Sequence, residues 1–330
     1  MKTFLITGGA GFIGSNFVHL LNKKMIRCVV IDSLTYAANR SNLDGLEHPE
    51  LLTFLEGDIN DTPTLLQILQ EHNVSSIVHF AAESHVDNSI NGPKVFLQTN
   101  VLGTFSVLEA SRAYLEASPS IRDHFRIIHI STDEVFGSLT DSGVFSPESR
   151  YDPSSPYSAS KAASDHIARA WHRTYGLPVI VTNCSNNYGP RQHYEKLIPH
   201  MIRKALSNEP LPVYGNGKNV RDWIHVEDHC AGIYLALTKG NVGSTYLFGG
   251  RAEKQNIEVV NTICSILDEL KPKVGGLSYH DQITFVSDRP GHDWRYAIDD
   301  HLSEKELDFS RNWTFDDGLK HTVQWYLDRL

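Results

Sequence analysis

The segment Gly8-Gly-Ala-Gly-Phe-Ile-Gly14 constrains this chain more than any other. It follows the apolar run Thr3–Thr7 with no spacer and leads straight into the periodic stretch Phe12–Leu21. A strand, a turn tight enough to need glycine, and a helix in immediate succession make the first half of a β-α-β unit. The next hundred residues repeat the alternation. Apolar runs at Cys28–Ile31, Leu52–Leu55, Ile77–Phe80 and Ile127–Ile130 are strand-like, and helical patterns at Thr64–Leu69 and Val101–Ala110 fall between them. Such alternation predicts an α/β fold on a parallel, doubly wound sheet.

A further unit follows, in which Ser155 caps a helix, Pro156 occupies its first turn, and Tyr157 to Gly176 form its body and stop. Val179–Thr182 is then a sixth strand. From Asn186 the pattern loosens into Pro- and Gly-rich loops, NNYGP and NEPLPVYGNG, before another strand-helix pair, STYLFGG and NIEVVNTICSILDEL. The expected division is a first domain over 1–185, rejoined by part of 221–250, and a smaller α/β region over 186–330. At 330 residues, 41% hydrophobic and 21% charged, the chain needs no disulfide or metal to hold a core.

A net charge of −9 argues against general nucleic-acid or acidic-membrane binding, so an anionic ligand must be met by local cations and helix N-termini. Cys28, Cys184, Cys230 and Cys264 are scattered without a CxxC pair, which fits a reducing compartment. The N-terminal MKTFLITGG enters a strand directly, and no run of apolar residues is long enough to span a bilayer. A soluble, cytoplasmic protein is expected.

The glycine loop admits close backbone approach, and the helix after it presents free N–H groups to a pyrophosphate. Asp32 ends the second strand, where an acid binds an adenosine ribose diol and repels a 2′-phosphate. NAD is therefore expected over NADP. Asp58, after the third strand, either accepts from the adenine amine or caps the helix that follows Asn60-Asp61.

The run Ile130-Ser-Thr-Asp-Glu-Val-Phe-Gly137 ends a buried strand on a hydroxyl, Thr132, and two adjacent carboxylates, Asp133 and Glu134. Such a pair is costly unless solvated, paired or put to use. Downstream, Tyr157-Ser-Ala-Ser-Lys161 sets a phenol and an ammonium at i and i+4 on one helix face. A nearby cation lowers a phenol's pKa, so Tyr157 is expected to take a hydroxyl proton as hydride leaves the same carbon. In sugar chemistry a carbonyl formed at C4 acidifies C5; one carboxylate then removes that proton and a protonated partner helps the C6 hydroxyl leave. Two solvated turn acids are the bland alternative.

Joined to the glycine loop, Thr132, Tyr157 and Lys161 resemble the catalytic triad of the extended short-chain dehydrogenase/reductase family. STDEV, YSASK, NCSNNYGP, EKLIP, RDWIHVEDH and DRPGHD, in order, with the closing TVQWYL, look like the bacterial dTDP-glucose 4,6-dehydratases over essentially the whole chain. The resemblance implies a Rossmann-type NAD domain and a homodimer joined by the helices at Val101–Ala110 and Tyr157–Gly176. It also implies a lyase of nucleotide-sugar metabolism with a place in dTDP-rhamnose biosynthesis. Tyr157 becomes the C4-hydroxyl base, Glu134 the C5 base and Asp133 the acid at C6, with Thr132 orienting the hydroxyl and Lys161 tuning Tyr157. Gly8, Gly11, Phe12, Ile13, Gly14, Asp32, Asp58 and Ile59 fall at cofactor positions. Ala81, Ser84, Thr99 and Asn187 fall near the nicotinamide half of the cofactor, Ser84 also counting as a substrate-binding position. Asn186, Glu195, Lys196, Leu197, Pro212 and Tyr214 fall where the family holds the nucleotide diphosphate. So do Arg221, Asn256, Arg289 and His292.

Three departures stand out: Phe136 where the family usually has Tyr, Ser33 near a usual Lys, and Arg191-Gln-His-Tyr194 before Glu195-Lys196. His225 and His229 share a spacing zinc can use, but no third ligand is apparent and no metal is expected. Competing readings are a dehydratase for UDP- or CDP-glucose, a nucleotide-sugar 4-epimerase, which needs no acid pair, and a non-catalytic nucleotide-binding regulator.

Overall fold

A computed structural model describes residues 2–329. In chain order the strands are β1 (Thr3–Thr7), β2 (Arg27–Asp32), β3 (Leu52–Glu56), β4 (Ser76–His79), β5 (Arg126–Thr132), β6 (Val179–Cys184), β7 (Asn186–Tyr188), β8 (Leu211–Tyr214), β9 (Val220–His225), β10 (Thr245–Phe248), β11 (Glu253–Gln255) and β12 (Ile283–Val286). The helices are α1 (Phe12–Lys23), α2 (Thr62–Glu71), α3 (Val86–Asn91), α4 (Pro93–Phe96), α5 (Thr104–Ala117), α6 (Pro156–Tyr175), α7 (Leu197–Leu206), α8 (Val226–Lys239), α9 (Asn256–Leu270), α10 (His301–Leu307) and α11 (Phe315–Leu327).

Seven strands form one parallel sheet in the order β10-β6-β5-β4-β1-β2-β3. The central strands are rich in apolar residues and buried along almost their whole length, because helices cover both faces. One face buries Phe4, Ile6, Val30, Val78 and Ile128 against α1 and α8; the other buries Leu5, Val29, Ile77, Ile127 and Val181 against α2, α5 and α6. Strand order reverses between β1 and β4, which opens a crevice at their carboxyl ends. Thr7 lies level with Ile31 and His79, and Thr132 with Cys184, so the loops after all these strands meet at one edge.

The chain leaves the sheet after β6 and returns to it through α8, which packs on α1, and β10, which pairs with β6. The sequence placed that return from Arg221; in the structure Val220–His225 instead pairs with β7 and β11 in a separate three-stranded sheet. A two-stranded pair, β8 with β12, and helices α7, α9 and α11 complete a second core around Ile202, Trp223, Ile263 and Leu319.

Helix α6 follows its sequence signals closely. Ser155 Oγ accepts from Ser158 N, Ser158 Oγ accepts from Ser155 N, and Gly176 takes φ 66° at the stop. The helix expected from Val101 is different: it starts upstream, at Pro93, and passes through a π turn, Leu97–Gly103, before α5. Asn100 within that turn is fully buried, its amide bridging Glu83 N and O and Ser160 Oγ. The tie to the β4 loop and α6 accounts for the extra residue in the turn.

Candidate active site

The carboxyl ends of β1 to β6 line a single cleft of about 790 Å³. At its floor Gly8 takes φ +68°, and a Cβ there would sit 2.6 Å from Ala81 N. A Cβ on Gly14 would run into Gly8 O. Only glycine fits both places. Helix α1 begins at Gly11 with no side-chain cap and no acid in its first turn, so its N–H groups face the cleft unmet. These are the features a dinucleotide pyrophosphate needs, and the residues present fit NAD.

Asp32 lines the cleft at the end of β2, its two oxygens accepting from Ala10 N and Leu34 N at 2.9 Å each. The carboxylate therefore also braces the glycine loop. Asp58 lines the cleft and accepts from Asn60 N; the cap of α2 is Asp61. Phe12, Ile13, Ile59, Ala81, Thr99 and Asn187 line it as well, Thr99 through the π turn.

Deeper in, β5 and α6 bring the five chemistry-bearing side chains to one wall. Thr132 Oγ1 donates to Asp133 Oδ1 at 3.3 Å and accepts from Glu134 N at 3.3 Å, and Tyr157 lines the same wall. The short 3-10 turn Asp133–Phe136 points the two acids into different surroundings. Asp133 is 1% exposed and its Oδ2 has no partner; burial, then the charges of Glu134 and Asp222, push its pKa well up. Its surroundings favour the protonated form. Burial also raises Glu134, but Lys196, Arg289 and Arg221 oppose that rise. Asp133, the more strongly raised of the two, is the better suited to give a proton and Glu134 to take one.

Tyr157 departs from expectation. Burial and then the Glu134 charge hold its pKa well above 10, and Lys161 donates at 2.7 Å to Ile130 O. These surroundings favour the protonated phenol, and the Lys161 ammonium is directed at the β5 backbone.

The residues expected to hold the nucleotide diphosphate fall into two groups. Ser84, Asn186, Glu195 and Lys196 line the cleft, Lys196 donating at 2.7 Å to Ser84 O. Leu197, Pro212, Tyr214, Arg221, Asn256, Arg289 and His292 lie outside its lining. Arg289 pairs with Asp87 at 3.1 Å, and the Tyr214 hydroxyl reaches the same carboxylate at 3.4 Å. His292 pairs with Asp288. Arg221 donates to Asp293 O and sits 4.4 Å over the Tyr296 ring. Asn256 starts α9 and Leu197 starts α7.

Residues not foreseen also line the cleft, among them Glu83, Cys184, Ser185, Gln192 and His193. Glu83 carried a usable signal, since it closes the β4 loop as Thr132 closes β5. Cys184 did not, because its place beside Thr132 depends on the register of β5 with β6. Phe136 stacks on Phe145 at 5.2 Å in a buried cluster, so that departure belongs to packing. His225 caps α8 and His229 meets Asn187 Oδ1 at 2.9 Å; burial pushes both imidazoles down to about 3. Among the described residues no three His, Cys, Asp or Glu converge as a metal site.

The model of the family described as GDP-mannose 4,6 dehydratase matches residues 5–322. A dTDP-glucose 4,6-dehydratase of Xanthomonas campestris is 55% identical over 328 residues, covering 99% of this chain and 93% of the relative. One from Escherichia coli is 50% identical over 334 residues, covering 98% and 92%. Among solved structures, the dTDP-glucose 4,6-dehydratase of Streptomyces venezuelae with NAD bound superposes at a TM-score of 0.90 with 45% identity, covering 99% and 98%.

Proposed function

The chain belongs to the GDP-mannose 4,6 dehydratase family, and from that premise we propose that it is an NAD-dependent hydro-lyase that turns dTDP-glucose into dTDP-4-keto-6-deoxy-glucose. The glycine loop and α1 N-terminus hold the pyrophosphate of NAD, Asp32 its adenosine ribose, and Lys161 and Asn187 its nicotinamide half. When bound, NAD supplies the hydride acceptor for C4 and the hydride donor for C6. Tyr157 takes the C4 hydroxyl proton, with Thr132 holding that hydroxyl. Glu134 removes the C5 proton that the new carbonyl acidifies. Asp133 gives its proton to the departing C6 hydroxyl, which leaves as water. Burial and the Glu134 charge raise the phenol, so a positive charge beside it, as oxidised nicotinamide would supply, would favour Tyr157 as base.

One observation carries this reading: Asp133 and Glu134 are adjacent at the end of β5 and line the same cleft wall as Thr132, Tyr157 and Lys161. An enzyme that only inverts C4 needs neither acid. The test is mass spectrometry of dTDP-glucose, UDP-glucose and CDP-glucose after turnover in deuterated water. Loss of one water from dTDP-glucose with deuterium gained at C5 is expected; an unchanged mass with inverted C4 would replace the reading with an epimerase.

We further assign 1–185 with part of 221–250 to NAD and 186–330 to the nucleotide sugar. A homodimer in the cytoplasm, feeding dTDP-rhamnose biosynthesis, is the cellular setting proposed. Support for the dimer comes from Leu97, 54% exposed, and Phe105, 41% exposed, on the π turn and α5.

A further inference from the structure

Asp165 lies one helical turn beyond Lys161 on α6 and is 0% exposed. Its Oδ1 accepts from His129 Nε2 at 3.0 Å, and its Oδ2 from Ser131 Oγ and the Tyr151 hydroxyl at 2.8 Å each. Arg169, the next turn along, donates to that same Tyr151 hydroxyl at 2.8 Å. The carboxylate is therefore the joint between α6, the strand β5 that ends in Thr132, and the loop before α6. None of the chemistry proposed above uses it.

A buried carboxylate needs positive charge as well as hydrogen bonds. His129 supplies a hydrogen bond but is a weak source of charge, since burial first holds that imidazole below its usual value and, among the described residues, its Nδ1 has no partner. His79, whose ring lies 5.6 Å from His129, is held neutral in the same way. Arg169 reaches Asp165 only through Tyr151. Lys161 is left. It pairs with no carboxylate at ion-pair distance, and its ammonium donates to Ile130 O. Burial lowers Lys161, and Asp165 first and the Cys184 thiol second raise it. Asp165 in turn, although burial pushes it up, ends below the usual carboxylate range through His129, Lys161 and Tyr151. Resting on the activity proposed above, we propose that Asp165 is a positioning residue: a buried counter-charge that keeps Lys161 an ammonium and clamps the Thr132 strand end against the helix carrying Tyr157 and Lys161.

The charge and the hydrogen bonds separate by mutation. Asp165→Asn keeps the shape and removes the charge, whereas Tyr151→Phe removes one hydrogen bond and keeps the charge. In Asp165→Asn, kcat is expected to fall about tenfold or more, with the KM for dTDP-glucose changed by less than about threefold. The basic limb of the kcat profile moves down by about one pH unit, because Lys161 loses its proton earlier. Tyr151→Phe leaves the limb in place. An Asp165→Asn profile that is lower at every pH with both limbs unmoved would overturn the inference.

A thermal cycle tests the pair without activity. Lys161→Met with Asp165→Asn should melt higher than Asp165→Asn alone, since the unpaired buried ammonium is gone. A double variant that melts lower than Asp165→Asn, or that fails to fold when Asp165→Asn also fails, speaks against the pair. Were the wild type to make no 4-keto sugar, the proposed activity would fall first, and this cycle would still decide the role of Asp165.

Discussion

Among single residues, the acid pair gives the sharpest expectations. Glu134→Gln should bind NAD as the wild type does while kcat drops by about 10²- to 10⁴-fold, the usual worth of a general base; near-normal turnover would remove Glu134 from the mechanism. Asp133→Asn should slow elimination and let the oxidised 4-keto-glucose intermediate build up, visible as NADH absorbance in a single turnover. Gly8→Ala should lose NAD binding, because its Cβ meets Ala81 N at 2.6 Å and φ +68° alone costs about 1–2 kcal/mol outside glycine; equilibrium NAD titration reads this. Thr132, Asp133, Glu134, Tyr157 and Lys161 were all legible, since strand-end position and i, i+4 spacing can be read along the chain. Which of the two acids gives a proton came only from the resemblance, because Asp222, Lys196, Arg221 and Arg289 reach them only through tertiary folding. The raised phenol of Tyr157 was hidden for the same reason.

At the level of elements, α6 carries its own instructions. Serine, proline and glycine fix both ends, and Ser155→Ala should cost about 1 kcal/mol, lowering Tm by about 1–2 °C for a chain of this size, as scanning calorimetry would show. The parallel sheet was equally readable, because strands covered on both faces are written as unbroken apolar runs. The π turn at Leu97–Gly103 was not. Its cause is the buried Asn100 amide bridging the β4 loop and Ser160, and a residue that bonds across space leaves no periodic mark in the sequence. The pairing of Val220–His225 with β7 and β11 escaped for a like reason, as three-residue partners are too short to show alternation.

Across the whole molecule, stability should depend on pH through buried histidines. His79, His129, His225 and His229 all sit below their unfolded value of 6.5 through burial, the last two at about 3. A group whose folded pKa is depressed in this way leaves the unfolded chain binding more protons below pH 6.5. Their stabilisation is therefore complete above that pH and is lost as pH falls below it, by about 2 kcal/mol at pH 5 for each of His225 and His229 and in the same direction for His79 and His129. Asp133, raised instead, works oppositely: its contribution is full below the unfolded carboxyl value and is lost as pH rises through its folded one. Tm measured from pH 8 to pH 5 should fall steadily; a flat profile would show that the imidazoles gain protons without cost. Light scattering at micromolar concentration should give twice the mass of 37.1 kDa, and a monomer would refute the dimer. The π turn ties these two scales together as a constraint on length. Thr99 and Leu102 turn into the cleft while Leu97 turns outward within the same seven residues. Deleting one residue there would let the helix run regular but would rotate its two halves by about 100° against each other, so neither the outer face nor the cleft tolerates a frame shorter by one.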